Sequence, residues 1–456
     1  MRRKKIFAIG VTLILTTALP WHTALADTGD QAAPPALEAP SSEEAGPGEM
    51  VPEGTVPVET LPVETTSEEA LPVEMLPQEP ASAASGEAGP AAGVESFQGG
   101  TISRGKNLGE DYSQVGPGMG SSTPQEPGQP DFTLNTVENP VVKVVEKYSY
   151  EQMEADIQSL EKRYGTAHMQ VNTIGNSADG RKIYDIIIGN PNAGKHILIQ
   201  GAIHAREYMN PLLMMKQIED GLAFYDTGYY NGRKLSDLLN QVAVHFVPMT
   251  NPDGVALSQF GLDAIRSAQL KETIQNAYAS DLAAGRTTLE FGRYLERWKA
   301  NARGVDLNHN FDALWFNTSS VWMLPSFSGY KGMTPVSEPE SQALVNLMNN
   351  GRPWAAVLNY HSMGKVIYWD IEGNKEKAKS QHLAQLMSTA TGGYQMLYSG
   401  GGGGFKDWVQ LRDGAVPSIT VETGKAECPM PMSEFDSVWA ENRAGWALVA
   451  DFVLMY

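Results

Sequence analysis

The chain has 456 residues, with 53 acidic against 34 basic side chains, a formal net charge of −19 and a single cysteine, Cys428. One cysteine excludes an internal disulfide framework, and the lack of a basic stripe argues against nucleic acid as a partner. A chain of this length can bury enough apolar surface to fold without covalent staples.

At the N-terminus Arg2-Arg3-Lys4-Lys5 precedes an apolar run from Ile6 to about Leu19, and Ala24-Leu25-Ala26 follows. A basic start, a short apolar core and small residues at the end read as an export signal over 1–26. The run falls short of the roughly 20 residues that cross a bilayer as a helix. The mature chain is therefore expected to start near Asp27, without stable membrane insertion after cleavage. An exported domain of this size without disulfides suits a bacterium, Gram-positive in preference, and places the protein outside the cell or in its wall.

Residues 27–140 hold 20 acidic and 2 basic residues (Arg104, Lys106) among Pro, Glu, Ala, Gly, Ser and Thr, with imperfect Leu-Pro-Val-Glu-Thr units such as 61–65. Such a segment buries too little apolar surface to offset the entropy of ordering it, and reads as a disordered, extended acidic spacer. Its net charge of −18 accounts for most of the chain total. The segment 141–456 carries only −5.

From Val141 the pattern becomes that of a folded domain. Tyr150 to Tyr164 has helical spacing, with Met153, Ile157 and Leu160 on one face. Strand-like runs follow at Ile183–Ile188, Ile197–Gln200, Val242–Val247, Ala355–Leu358 and Ile419–Val421. Helical stretches lie between them at Pro211–Ala223, Glu338–Asn349 and Glu376–Thr391, and Ser433 to Tyr456 reads as a closing helix. Strands alternating with helices predict an α/β fold: three α/β/α layers around a mixed, mostly parallel sheet. In such sheets, sites form at the carboxyl ends of the strands.

Three of those ends carry chemistry. After Ile197-Leu198-Ile199-Gln200 comes Gly201-Ala202-Ile203-His204-Ala205-Arg206-Glu207, in which an imidazole and a carboxylate three residues apart can converge on one ion. The best third ligand is His361, directly after the strand ending in Leu358. A set of two N donors and one O donor suits catalytic zinc, which keeps a further position for water. Ser418 to Val421 then delivers Glu422. Zinc brings the pKa of a bound water to about 7, and a nearby carboxylate can take its proton and pass it to the leaving nitrogen. Glu422 thus fits a general base better than a fourth ligand, which would close the site.

With these residues in place, the region from about Tyr148 to Tyr456 resembles the zinc carboxypeptidases of the carboxypeptidase A type. The resemblance rests on His-Ala-Arg-Glu (204–207), Asn-Pro-Asp-Gly (251–254), Gly-Val-Asp-Leu-Asn (304–308), His361-Ser362 and Val-Glu-Thr-Gly (421–424), in the family's order. It implies one Zn2+ per chain, a peptide substrate and a monomer. It further implies Arg303 as the cation holding the oxyanion, Tyr398 as a mobile tyrosine over the substrate, and Arg206 and Asn308 as substrate-binding residues. One position departs: where the family has a carboxylate-clamping arginine, this chain has His309, and an imidazole does not replace a bidentate guanidinium. Lys406, before Asp407-Trp408, falls in the pocket for the leaving side, where a cation suits an acidic group. Gly-Gly-Phe-Lys-Asp-Trp (403–408) resembles a bacterial branch that includes γ-D-glutamyl-meso-diaminopimelate peptidases, so a muropeptide is the expected substrate. A general carboxypeptidase acting on ordinary peptides, and a zinc-containing wall-binding module without turnover, are the alternatives.

Overall fold

The computed structural model describes residues 131–318, 322–398 and 401–456. The expected export signal and nearly all of the acidic spacer lie outside the described residues. Asp131 to Pro140, assigned above to the spacer, pack on the domain: Phe132 pairs with Tyr230 and sets its ring against Trp446, and the carbonyl of Asn135 accepts a 2.8 Å hydrogen bond from Arg443. Among the described residues no helix is long and apolar enough to cross a membrane.

An eight-stranded sheet organises the domain. Its strands, in chain order, are β1 (Met169–Asn176), β2 (Lys182–Ile188), β3 (Lys195–Gly201), β4 (Val242–Val247), β5 (Trp354–Ser362), β6 (Val366–Asp370), β7 (Gln395–Tyr398) and β8 (Ser418–Thr423). Across the sheet they run β7-β6-β8-β5-β3-β4-β2-β1. The four central strands β8, β5, β3 and β4 are mutually parallel. β6 runs antiparallel to β8, β7 parallel to β6, and β2 and β1 are added antiparallel on the other side. The sheet is mixed and mostly parallel, as the alternation of elements predicts.

Eleven helices of the described chain surround it: α1 (Tyr150–Tyr164), α2 (Met209–Ala223), α3 (Leu235–Gln241), α4 (Pro252–Phe260), α5 (Ala268–Ala283), α6 (Phe291–Glu296), α7 (Pro339–Met348), α8 (Lys377–Ala390), α9 (Phe405–Leu411), α10 (Phe435–Asn442) and α11 (Gly445–Val453). α1 shows how local sequence defines an element. Ser149 caps it by accepting from the amide of Gln152, Met153, Ile157 and Leu160 face inward, and Gly165 ends it; a serine cap satisfies one of the amides that a helix start leaves unpaired.

The period-two alternation of the strands divides the core into two layers. Ile197 and Ile199 join Leu212, Met215, Trp446 and Val449 in one cluster, while Leu198 joins Leu344, Leu347, Phe405 and Val409 in another. Helices α2 and α11 thus cover one face, and α7 and α9 the other. A third cluster, around Leu257, Ile274, Tyr294 and Trp298, binds α4, α5 and α6 into a shoulder beside the strand ends.

Two features differ from the sequence reading. The closing helix is two helices, broken at Arg443-Ala444, where Arg443 turns to pair with Asp220. Strands β1, β6 and β7 have no counterpart among the predicted runs. β1 exposes part of both faces and shifts register near Gly175, and β7 is a four-residue edge strand. Neither has the continuous apolar run that marks a buried parallel strand.

Candidate metal centre and active site

β3, β5 and β8 end side by side. Gly201 stands opposite Tyr360, and His361 opposite Glu422, so the three motifs meet because their strands are neighbours. Beyond β3 the chain turns at Ala202, a fully buried residue with φ 49°. This left-handed conformation is costly for a residue with a Cβ and is held by its surroundings. The amide of Asn251 donates to the carbonyl of Ala202 at 3.1 Å. The Asn251 side-chain amide donates to the carbonyls of Ile203 and Ala300 at 3.3 and 2.9 Å. Asn251 therefore ties the His204 turn to the 299–305 loop. Its Oδ1 also caps α4 by accepting from Gly254.

His204 Nδ1 lies 2.8 Å from Glu207 Oε1, and His361 Nδ1 lies 3.2 Å from Glu207 Oε2. The two imidazole Nδ1 atoms are 3.1 Å apart. All three side chains are buried, and among the described residues they are the group of His, Cys, Asp or Glu whose donor atoms gather within 4.8 Å of one another. The donors fit a zinc ion: two imidazole nitrogens and a carboxylate aimed at one point. The outer shell fits as well. His204 Nε2, buried with no hydrogen bond of its own, faces Asp306 Oδ1 at 3.4 Å, the carboxylate-histidine arrangement that orients a metal ligand. Burial opposes ionisation of Glu207, but His204 and His361 overcome it and hold the carboxyl well below its usual range.

A layer behind the ligands locks the strand ends. Asn210 on α2, Ser362 after His361 and Thr423 after Glu422 form a buried hydrogen-bonded triangle with sides of 3.3, 2.8 and 3.0 Å. Their neighbours in sequence are functional, but serine, threonine and asparagine in strand and helix patterns carry no signal that would have marked them.

In front of the ligands opens a cavity of about 290 Å³, walled by His204, Lys299, Asn308, Tyr368, Lys406, Asp407, Thr420 and Glu422 together with Gly401 and Gly404. Burial pushes the Glu422 carboxyl up to about 7, helped by the charge of Glu207 and opposed by His361, Lys299 and Arg206. A cation held by the ligands adds to the opposing side. Glu422 thus stands in the cleft as a carboxyl able to accept and return a proton near neutral pH.

The other expected residues divide. Asn308 lines the cleft, and its Oδ1 accepts from the amide of Phe405 at the start of α9. Lys406 lines it too and is only 4% exposed, paired with Asp407 and donating to Gln410 at 3.1 Å. The guanidinium of Arg206 donates to the carbonyl of Arg297 at 3.5 Å. His309 turns back toward Asp306, 3.8 Å away, and burial lowers its pKa against the pull of that carboxylate. Tyr398 ends the edge strand with 54% of its surface exposed and, among the described residues, does not line the cavity.

Arg303 is displaced from the place expected for it. Its side chain is half exposed and pairs with Glu338 at 3.6 Å, outside the cleft. The reason is the Asn301 turn. Asn301 Oδ1 accepts from the amides of Arg303 and Val305, its amide group donates to Glu338 and Glu340, and Gly304 closes the turn at φ 73°, a conformation glycine adopts at little cost. Arg303 is thereby turned outward. Lys299, on the near side of the turn, lines the cleft instead and reaches Asp306 at 3.1 Å. Sequence reasoning passed over Lys299, Tyr368, Thr420 and the outer-shell Asp306. Only Asp306 had a signal, its place within Gly-Val-Asp-Leu-Asn.

Comparison with known proteins agrees with this geometry. The chain is similar to gamma-D-glutamyl-L-diamino acid endopeptidase 1 of Lysinibacillus sphaericus, with 33% identity over 299 residues that cover 65% of this chain and 70% of that one. It is also similar to the uncharacterized protein YqgT of Bacillus subtilis, with 27% identity over 271 residues, 58% of this chain and 68% of that one. Among solved structures, thrombin activatable fibrinolysis inhibitor superposes with a TM-score of 0.52 at 19% identity, over 67% of this chain and 74% of that chain, a likeness of fold. Residues 153–445 match the zinc carboxypeptidase family. The protein belongs to the zinc carboxypeptidase family and is a zinc-dependent metallopeptidase.

Proposed function

We propose that this metallopeptidase hydrolyses peptidoglycan stem peptides outside the cell, in or near the wall of a Gram-positive bacterium, at the amide between γ-D-glutamate and meso-diaminopimelate. The observation that carries this reading is Lys406. It is a lysine almost wholly withdrawn from solvent, in the wall of the same cavity as His204 and Glu422. Burying an ammonium is costly unless something anionic meets it. Asp407 meets it in part, and the additional carboxylate of a diaminopimelate on the leaving side suits what remains. The relative from Lysinibacillus sphaericus is named for cleavage at gamma-D-glutamyl-L-diamino acid, a bond between γ-D-glutamyl and a diamino acid. His309, folded toward Asp306, supports the same reading, since no arginine fork stands there to demand a free C-terminal carboxylate.

Held by His204, Glu207 and His361, zinc supplies Lewis-acid polarisation and a water acidic enough to be deprotonated near neutral pH. Glu422 accepts the proton of the attacking water as its oxygen bonds to the scissile carbonyl carbon. It then gives that proton to the nitrogen as the C–N bond breaks. Asn308 positions α9, and with it Lys406, against the cleft.

Mass spectrometry of peptidoglycan fragments incubated with zinc-loaded protein tests the assignment. The expected products are L-alanyl-γ-D-glutamate ends and free diaminopimelyl peptides, and Lys406→Met is expected to reduce the rate on these substrates at least tenfold. Equal or better cleavage of ordinary peptides with free C-termini would instead identify a general carboxypeptidase.

A further inference from the structure

Exposed aromatic and thioether side chains scattered singly over a surface need no partner, but several grouped together mark a place that something covers. From Leu314 to Tyr330 the sequence has no charged residue, in a chain that is 19% charged. The fold turns apolar members of that stretch outward: Phe316 is 93% exposed, Met323 81% and Leu324 58%, and Met333 just beyond them is 82% exposed. Trp322, also exposed, is tied back by its amide, which donates to the carbonyl of Gly329 at 2.8 Å. This lobe is built onto the wall of the active-site cleft. The amide of Phe311 donates to the carbonyl of Gly403, and the amide of Gly403 donates to the carbonyl of Ala313 at 2.6 Å, between the cleft residues Gly401 and Gly404. Leu314 then holds a left-handed φ of 53° at the start of the short helical turn that carries Phe316, a conformation that is costly for leucine.

We propose that this lobe docks on the anionic surface of a lipid bilayer, as a peripheral contact that holds the mouth of the cleft beside the membrane. Lipid fits better than other covers. A second copy of the chain would need pockets on the same patch to receive its side chains, and Phe316, Met323 and Met333 are exposed so fully that they stand out as knobs. A fluid acyl layer needs no matching relief, and an uncharged segment enters it without desolvating a charge. A glycan is held by fixed donors and acceptors, which phenyl and thioether groups scarcely offer. Cations stand where headgroups would lie. Lys331 Nζ donates to the carbonyl of Trp315 at 2.8 Å and sits 4.5 Å from the centre of that ring, with no carboxylate partner among the described residues. Arg286, paired with Asp281, lies 5.1 Å from the ring centre of Trp322. Tryptophan beside cationic side chains, next to bare apolar groups, is the pattern of an interfacial contact. The inference does not depend on the stem-peptide reading, because none of these side chains lines the cavity.

Co-sedimentation with vesicles tests the proposal on the chain as exported, from Asp27 onward, so that the apolar signal segment does not itself bind lipid. The vesicles are phosphatidylglycerol mixed with phosphatidylcholine, or phosphatidylcholine alone, at physiological salt. The wild type is expected to bind the anionic vesicles, and Phe316→Ser to weaken that binding by about tenfold. Phe316→Ser, Met323→Ser and Met333→Ser combined should abolish it. The same triple variant should keep zinc at one per chain and hydrolyse a soluble substrate within about twofold of the wild type, which shows that the domain is folded. Lys331→Gln should weaken binding to the anionic vesicles by about fivefold and change binding to phosphatidylcholine little. Three outcomes would overturn the proposal. One is a wild type that binds neither vesicle, and another is a folded triple variant that binds as well as the wild type. The third is dimerisation in analytical ultracentrifugation, or retention on isolated glycan strands, that the triple variant loses while vesicles go unbound.

Discussion

Glu422 is held in the cleft by opposing influences: burial and Glu207 favour its neutral form, while His361, Lys299 and Arg206 favour the charged one. A group balanced in this way can take and return a proton within one turnover. Glu422→Gln is expected to lower kcat by about 100- to 10,000-fold while zinc stays bound, which activity and metal analysis on the same sample would check. Asp306 acts on the metal from behind. Removing it with Asp306→Ala leaves His204 Nε2 without an orienting partner and Lys299 without a carboxylate, so zinc affinity should fall by about 10- to 100-fold, measured by competition with a chelator. At this scale the sequence was legible for the ligand set, and it singled out Glu422, because His204 and Glu207 lie on the turn after β3 while His361 and Glu422 stand at the carboxyl ends of the buried strands β5 and β8. It was not legible for the cation. Arg303 and Lys299 lie four positions apart on one loop, and only the Asn301 turn decides which of them faces the cleft.

Among the elements, α4 bears on the site although no residue of it lines the cavity. It begins at the Asn-Pro-Asp-Gly motif, where a Cβ on Gly254 would meet the carbonyl oxygen of Ala300 at 2.6 Å and the Asn251 amide nitrogen at 2.6 Å. Gly254→Ala is therefore expected to destabilise the domain by about 1–3 kcal/mol, read from urea unfolding. The same shift would disturb the loops carrying His204 and Lys299, so activity should fall further than stability alone explains. The buried central strands and amphipathic α1 were readable from periodicity, because burial on one or both faces dictates which positions are apolar. The edge strands β1 and β7 were not, because partial exposure removes the constraint that writes the pattern.

Over the whole molecule, stability and catalysis occupy different parts of the same sheet. On the face that carries Leu198, Asp185, His245 and His196 form a buried chain, with His245 Nδ1 2.9 Å from Asp185 and Nε2 2.8 Å from His196 Nδ1. Trp354 packs edge-on against both rings. Burial, then His245 and Arg352, lower the His196 pKa from 6.5 to about 4. Between those values the unfolded chain binds a proton that the folded one refuses, so this group favours folding above pH 6.5 and loses that contribution as pH falls toward 4. The slope is at most about 1.4 kcal/mol per pH unit. His196→Gln should flatten it in urea unfolding followed from pH 7.5 to 4.5.

Taken alone, the sequence determined which residues are apolar on which face, where helices start, and which short motifs carry imidazole and carboxylate. These follow from local periodicity and capping, and they were enough to specify the α/β class and the His204, Glu207 and His361 set, and to single out Glu422 as the candidate base. Tertiary structure decided what depends on distant chain segments meeting: the register that sets His361 beside Glu422, the withdrawal of Lys406 from solvent, and the placing of Lys299 in the cavity wall while Arg303 turns to Glu338. The first rests on strand pairing, the second on Asp407 and Gln410, and the third on hydrogen bonds of Asn251, Asn301 and Asp306 to other segments, none of which leaves a pattern in the local sequence.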